Sequence, residues 1–281
     1  MKRNLNPQLK YFPTKMAKET VVTTLGETTL QLAARIEALL AKRTETRILV
    51  ALAGVPGSGK STVSQALLVE LAARNIFDVA IVPMVRFLFF APFDISPHCT
   101  HQQTTELKLK HVDTQDGFHY SKAVLSTFPD PDLAFKRRGA PFTFDALAFV
   151  ALVKALKSMP VTTATSPEPE QFLYAPSFDH ALKDPAPNAI AISSRTRLVI
   201  VEGNYTLLDQ KPWNEIPPLC EEKWFVDVDR EVVKERLAQR HLLAGIETSA
   251  MAAVRRAEEN DLPNGELIRG LLVEPDVVIK N

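Results

Sequence analysis

Hydrophobic residues recur with two spacings along the chain, and each spacing predicts a different kind of element. Short, continuous apolar runs are typical of strands that are buried on both faces of a parallel sheet. Five such runs occur, at 47–53, 78–84, 198–201, 224–228 and 277–279. We therefore expect five parallel strands.

Other segments carry apolar residues at the three- and four-residue spacing of a helix that packs on one face. The clearest covers 29–42. A helix at 143–159 begins with Thr143 and Asp145, two residue types that cap helices. Further segments predict helices at 60–74, 231–243 and 249–260, and a loop rich in threonine, serine and proline at 159–170.

Strands that alternate with helices indicate an α/β fold with a doubly wound parallel sheet. The 281 residues are enough for one such domain with a substantial core. We assign the domain to residues 29–281 and expect residues 1–28 to form a flexible tail.

The charges are balanced, with 33 basic and 33 acidic residues, so bulk electrostatics do not indicate nucleic-acid or anionic-membrane binding. We expect small-molecule partners. Only Cys99 and Cys220 are present, which argues against a disulfide scaffold and fits a reducing compartment. The longest apolar stretch, 79–93, contains Arg86 and is shorter than the roughly 20 residues of a membrane helix.

The first 18 residues carry five basic and no acidic side chains, as mitochondrial presequences do, but two prolines interrupt any amphipathic helix. We expect a cytoplasmic protein with a disordered tail, or a true start at Met16. A mitochondrial destination is the alternative. A homodimer is left open.

A glycine-rich segment after the first predicted strand has the spacing of a phosphate-binding loop. It consists of Gly54, Val55, Pro56, Gly57, Ser58, Gly59, Lys60, Ser61 and Thr62. In such loops backbone N–H groups turn towards phosphates, and the following helix directs its positive end at them. We predict that Lys60 holds the β- and γ-phosphates and that Ser61 binds Mg²⁺; a plain glycine turn is the alternative.

The chain lacks the motifs of two other classes of phosphate-loop protein. It has neither Asn-Lys-x-Asp nor Asp-x-x-Gly, which argues against a guanine-reading switch. It also lacks Leu-Ser-Gly-Gly-Gln, which argues against a transporter ATPase.

Two acidic residues are expected beyond the carboxyl ends of strands, where open α/β sheets bind ligands. Glu202 directly follows the strand 198–201, at the place of an acid that orients metal or water. Asp116 opens the segment Asp-Gly-Phe-His-Tyr and would accept a proton from a hydroxyl if it follows the second strand; a turn-forming Asp-Gly is the alternative.

Phosphoryl transfer depends mainly on positioning and charge neutralisation, so nearby cations are further candidates. They are Arg137, Arg138, Arg236 and Arg240. Because Arg236 and Arg240 are one helical turn apart, an ordinary solvated helix face is their alternative.

Six motifs occur in a fixed order along the chain. They are the glycine-rich loop 54–62, Asp-Gly-Phe-His-Tyr-Ser at 116–121, Arg-Arg-Gly-Ala-Pro-Phe-Thr-Phe-Asp at 137–145, Tyr-Ala-Pro-Ser-Phe-Asp-His at 174–180, Val-Glu-Gly-Asn-Tyr at 201–205 and Asn-Asp-Leu-Pro-Asn at 260–264. In this order they resemble the pantothenate kinase and uridine kinase group, most closely its branch of fungal and bacterial sugar or nucleoside kinases.

The resemblance implies a three-layer P-loop fold with a five-stranded parallel sheet and lid elements, ATP and Mg²⁺ as cofactors, and a small alcohol as phosphate acceptor. By position, Asp116 is the general base and Arg138 contacts the acceptor or the transferred phosphate. Arg236 and Arg240 belong to the lid over ATP. The residues implied at the acceptor are His119, Tyr120, Arg137, Tyr174, Asp179, His180, Asn204 and Tyr205. Asn204 and Tyr205 replace the aliphatic residues common in uridine kinases, so the resemblance does not carry a uridine-type acceptor over.

Residues 85–115 are surplus to this pattern, because Met84 would otherwise lead directly into the motif that Asp116 opens. Closing a loop of this length costs roughly 3 kcal/mol plus a constant. It would also place five large apolar side chains beside the active site.

We interpret the insert 85–115 as a retained intron, because valine codons begin with GT, glutamine codons can end in AG, and the segment is a whole number of codons. One alternative is a genuine lid or partner loop. The other is a metal site, whose ligands would be His98, Cys99, His101 and His111.

Together these features predict an ATP-dependent kinase that phosphorylates a hydroxyl of a small metabolite, such as a nucleoside, a sugar or a pantothenate-like compound. The alternative is a nucleotide-binding regulatory protein without kinase activity.

Overall fold

The computed structural model describes residues 19–21, 24–84, 117–179 and 184–281 of the chain. The insert 85–115, Asp116 and His180 lie outside them, as do residues 1–18. The strands are β1 (Glu19–Val21), β2 (Ile48–Gly54), β3 (Val79–Pro83), β4 (Phe172–Asp179), β5 (Asp184–Ser193), β6 (Leu198–Glu202), β7 (Glu222–Asp227) and β8 (Val277–Lys280). The helices are α1 (Leu25–Lys42), α2 (Lys60–Ala73), α3 (Lys122–Leu125), α4 (Pro131–Lys136), α5 (Ala146–Ser158), α6 (Arg230–Leu243), α7 (Ala250–Arg256) and α8 (Leu262–Gly270).

The central sheet has the strand order β1-β8-β7-β2-β6-β3, and every neighbouring pair is parallel. Five of these strands are the predicted ones, so the prediction of an α/β fold with a five-stranded parallel sheet is confirmed. β1 adds a sixth strand at the edge beside β8. Its three residues are too few for an apolar run to reveal.

The central strands β2 and β6 are buried along their whole length, which explains their continuous apolar sequence. Successive side chains of β2 alternate between two hydrophobic cores, so that Leu49 and Ala51 enter one and Val50 and Leu52 the other. Side chains of α5 line the first core, and those of α1 and α2 line the second. The sheet is therefore covered on both faces, and the predicted site lies at the carboxyl ends of the strands.

Capping residues explain where two helices begin. α1 begins four residues before the predicted start, because the Thr24 hydroxyl accepts a hydrogen bond from the Glu27 N–H while the Glu27 carboxylate accepts one from the Thr24 N–H. α5 begins three residues after its predicted start, because Asp145 rather than Thr143 caps it.

Two regions were not predicted in their observed form. β4 and β5 form an antiparallel hairpin, which the sequence conceals because prolines interrupt both strands. The predicted helix 249–260 is α7 followed by a π-helical turn, Ala257–Asp261, and α8 continues from it.

The predicted loop 159–170 contains neither helix nor strand. In the described ranges, no helix is both long and apolar enough to span a bilayer.

Candidate active site

The glycine-rich segment forms a tight loop between the end of β2 and the start of α2, as its sequence predicted. Gly57 and Gly59 have φ angles of 75° and 90°, which residues with a Cβ atom rarely adopt. α6 packs on this loop, since a Cβ at Gly57 would meet the side chain of Leu237 at 3.1 Å. The first turn of α2 leaves backbone N–H groups without partners in the helix, so the loop fits a bound phosphate chain.

Lys60 directs its ammonium group back into this loop. Its Nζ donates hydrogen bonds to the carbonyls of Gly54 at 3.0 Å and Val55 at 3.1 Å, and to Oδ1 of Asn204 at 2.6 Å. The side chain is buried, and this desolvation lowers the pKa of Lys60 to about 8, although the nearby charge of Glu202 opposes the shift. All three hydrogen-bond partners are neutral, so an anion at the loop would meet a positive charge that no directly bonded carboxylate offsets.

Glu202 is the last residue of β6, and its carboxylate accepts two hydrogen bonds from α2. Ser61 Oγ donates at 2.6 Å to one oxygen, and Ser64 Oγ donates at 2.7 Å to the other. Burial raises the pKa of Glu202, while both hydroxyls and the charge of Lys60 act in the opposite direction. A hydroxyl beside a buried carboxylate is an oxygen donor set that suits Mg²⁺, so Ser61 and Glu202 fit the metal site that the sequence predicted.

Arg137 is held by two amide side chains. Its Nε donates to Oδ1 of Asn260 at 3.2 Å, and its Nη2 donates to Oδ1 of Asn264 at 3.1 Å. Both asparagines are buried, at 5% and 2% exposure. Since amides carry no charge, they orient the guanidinium without cancelling its charge, and Arg137 keeps its capacity to bind an anion.

The neighbouring Arg138 lies beside the predicted acceptor residues. Its Nη2 donates to the carbonyl of Tyr120 at 3.3 Å, and its own carbonyl accepts from Nδ2 of Asn260 at 3.1 Å. His119 is buried, and its ring stacks on that of Phe144 with 3.9 Å between ring centroids. The structure thus brings Arg138, His119 and Tyr120 together at one edge of the sheet.

Tyr205 does not face a ligand in the way that the sequence suggested. It is fully buried, and its hydroxyl donates to the Gly139 carbonyl at 2.6 Å. Burial raises the pKa of Tyr205 well above its ordinary value. Its ring also packs against Trp213. Tyr205 therefore supports the turn that carries Arg137 and Arg138 instead of contacting the acceptor.

The β4–β5 hairpin packs against the turn that follows Asp116. A Cβ at Gly117 would lie 2.2 Å from the carbonyl oxygen of Pro176 in β4, so only glycine fits there. Tyr174 projects from β4 with 53% of its surface exposed. The backbone of Asp179 ends β4, and His180 lies outside the described residues. The hairpin is therefore placed as a wall beside the predicted acceptor site.

The two predicted lid arginines occupy different environments on α6. Arg240 is partly buried, and its charge lies close enough to Lys60 to contribute to the lowered pKa of that lysine. Arg236 is exposed, and no hydrogen bond or ion pair is recorded for it within the described part of the chain. Only Arg240 is thus placed near the phosphate loop by an interaction.

Three residues of this site were not assigned from the sequence. Ser64 lies one helical turn after Ser61 on α2, and this spacing could have indicated its contact with Glu202. Asn260 and Asn264 were visible only as parts of a motif, because their partner Arg137 is more than 120 residues away in sequence. Long-range hydrogen bonds of this kind leave no local pattern.

Comparison with known proteins is consistent with this geometry. The chain is 33% identical over 237 residues to a protein of Schizosaccharomyces pombe named "Putative uridine kinase C227.14", with 84% of each chain covered. It is 44% identical over 151 residues to the "ATP-dependent kinase-like protein notR'" of Aspergillus versicolor, covering 54% of this chain and 84% of the relative. No protein-family model matches.

Among solved structures, one from Silicibacter sp. TM1040, described as a "putative fructose transport system kinase", superimposes with a TM-score of 0.65 at 28% identity. The match covers 92% of this chain and 99% of that one. The kinase names of these relatives imply the use of ATP. With a confirmed phosphate loop and a relative matched over most of both lengths, the chain belongs to the pantothenate kinase and uridine kinase group of P-loop kinases.

Proposed function

We propose that the protein is an ATP-dependent phosphotransferase that moves the γ-phosphoryl group of ATP to a hydroxyl of a small metabolite. The proposed acceptor is a nucleoside, a sugar or a pantothenate-like compound. The observation that supports this most directly is the buried ammonium of Lys60, which lies within a phosphate loop and beside the Ser61–Glu202 pair.

In the proposed reaction, Lys60 exchanges neutral acceptors for oxygens of the β- and γ-phosphates, and the backbone N–H groups of the loop enclose the rest of the chain of phosphates. Ser61 and Glu202 would hold Mg²⁺, which supplies charge neutralisation at the phosphate oxygens when bound. Since Ser61 and Glu202 are already joined by a hydrogen bond of 2.6 Å, little rearrangement is needed to present both oxygens to one ion.

In the proposed transfer step, Asp116 acts as the general base. The acceptor oxygen forms a bond to the γ-phosphorus while the bond from that phosphorus to the bridging oxygen breaks, and ADP leaves with the electron pair. The hydroxyl proton passes to the carboxylate of Asp116. Arg138, next to Tyr120, is suited to stabilise charge on the transferred group.

The acceptor would lie between the residues after Asp116 and the β4–β5 hairpin. Buried His119 and exposed Tyr174 offer a polar and an aromatic contact there. The relatives' names include a uridine kinase and a fructose transport system kinase, so they support a kinase without choosing between nucleoside and sugar acceptors.

A substrate panel tests the proposed function directly. ADP release should be measured with Mg²⁺·ATP and a range of nucleosides, sugars and pantothenate, using the full chain and a variant that lacks residues 85–115. We expect acceptor-dependent release, and the retained-intron interpretation predicts that the shortened chain is the more active. Inactivity of both forms across the panel would contradict a kinase and favour a regulatory nucleotide-binding protein.

Asp116→Asn tests the assignment of the base. The variant keeps the size of the side chain but cannot take the proton, so we expect transfer to fall by about 100-fold while ATP affinity stays unchanged. Transfer is measured by ADP release and affinity by calorimetry. Retained transfer would show that Asp116 is not the base, and Asp132→Asn, an exposed acid on α4, is the matched control.

A further inference from the structure

Asn204 lies two residues after Glu202 and is connected to the phosphate loop rather than to the acceptor wall. Its Oδ1 accepts from Nζ of Lys60 at 2.6 Å, which is shorter than the distances from Nζ to the two loop carbonyls. Asn204 is the one side chain among the three hydrogen-bond partners recorded for this ammonium group. A ligand that binds to the ammonium group of Lys60 would therefore lie next to the side chain of Asn204.

The backbone on both sides of Asn204 is fixed. The N–H of Gly203 donates to the carbonyl of Leu52 in β2, and a Cβ at Gly203 would come within 2.6 Å of the side chain of Met84. On the other side, Tyr205 is fully buried and bonded to Gly139. The backbone at Asn204 therefore loses little conformational freedom when a ligand binds.

The position of Asn204 outside the loop determines which phosphate it can reach. In a phosphate loop the backbone N–H groups enclose the α- and β-phosphates, and the lysine extends to the β- and γ-phosphates. Asn204 is not part of the loop and contacts Lys60 from beyond the end of β6, two residues after Glu202. A side chain placed there is suited to the phosphate that the loop backbone does not enclose, which is the terminal phosphoryl group.

An amide suits this position because it carries both an acceptor and two donors. Without nucleotide, Oδ1 accepts from Lys60. When a phosphate oxygen takes over the ammonium group, the amide can present Nδ2–H to the same phosphoryl group. A carboxylate at this position would repel the phosphate, and an aliphatic side chain would leave one donor of the buried ammonium without an acceptor.

We propose that Asn204 binds the terminal phosphoryl group of ATP through its side-chain amide and so distinguishes ATP from ADP. This inference rests on the proposed function, because it requires ATP in the phosphate loop. It moves Asn204 from the acceptor site, where the sequence placed it, to the nucleotide site. The role differs from that of Lys60, since Lys60 would contact ATP and ADP alike.

The test compares two nucleotides on the full chain by isothermal titration calorimetry in Mg²⁺. The probes are ADP and the β,γ-imido analogue of ATP, so that no acceptor and no turnover are needed. For Asn204→Ala we expect the ratio of the triphosphate Kd to the ADP Kd to rise about tenfold, as for the loss of one hydrogen bond to a charged group. The ratio is compared because the loss of an acceptor for Lys60 in the empty site affects both nucleotides alike. Asn204→Asp should weaken the triphosphate further.

Asn214→Ala is the matched control, since this partly buried asparagine lies in the separate short helix Trp213–Glu215. It should leave both affinities unchanged, and thermal unfolding checks that all variants fold. Equal weakening of both nucleotides in the Asn204 variants, or no change in either, would overturn the assignment while leaving the proposed function intact. A wild-type chain that binds neither nucleotide would overturn the proposed function and this inference together.

Discussion

Lys60→Ala is expected to lower ATP turnover by about 1,000-fold, because it removes the positive charge that the loop holds ready for the β- and γ-phosphates. In the folded chain this charge is buried and its hydrogen-bond partners are neutral oxygens, so the nearby charge of Glu202 offsets it only from outside these hydrogen bonds. Fixed charges in a site that excludes water account for losses of this size when they are removed. ADP release at saturating Mg²⁺·ATP measures the effect.

The matched control for this variant is Lys154→Ala. Lys154 lies on α5 and forms an exposed ion pair with Glu215, away from the phosphate loop. It should retain full turnover, because exposed ion pairs contribute little to stability. If Lys60→Ala keeps more than about a tenth of the wild-type rate, the loop lysine does not neutralise the transferred charge and the proposed mechanism is wrong.

Glu202→Gln is expected to reduce turnover by about 1,000-fold without lowering the free energy of unfolding. Glutamine keeps the shape and can still bond to Ser61 and Ser64, but it removes the charge that would hold Mg²⁺. Burial raises the pKa of Glu202, which means that the folded state disfavours its ionised form. At neutral pH the neutral glutamine removes that unfavourable contribution, so stability should be equal or higher.

Glu222→Gln is the comparison variant, for which we expect lower stability and normal turnover. Glu222 is also a buried carboxylate on the sheet, but it forms an ion pair with Arg35 and accepts a hydrogen bond from Nε1 of Trp224. We expect this variant to lose about 1 kcal/mol of stability and to retain turnover. Urea unfolding and Mg²⁺ titrations of ADP release separate the two carboxylates. A Glu202→Gln enzyme with normal turnover would contradict its role at the metal.

The phosphate loop and the strand-end acid Glu202 lie at the ends of the strands that the sequence predicted. The loop 54–62 joins β2 to α2, and Ser61 meets Glu202 at the end of β6. These contacts follow from sequence because a phosphate loop must connect a strand to a helix, and parallel strands end at one edge of the sheet. The position of Asp116 stays a prediction, since this residue lies outside the described ranges.

The partners of other side chains could not be predicted in the same way. Tyr205 and Asn204 are adjacent in sequence, yet one enters the core and the other contacts Lys60. The family resemblance implied that both lie at the acceptor. Their separation depends on packing against Gly139 and Trp213, which are distant in sequence.

From the sequence alone, five strands of the central sheet, the phosphate loop and the pairing of a serine with a strand-end acid follow, because apolar runs and glycine spacing act over a few residues. The tertiary structure decided which amides hold Arg137 and that β4 pairs with β5. It also decided that the ammonium group of Lys60 donates a hydrogen bond to Asn204. These arrangements depend on contacts between segments up to 144 residues apart, which become adjacent only when the two cores close on the sheet.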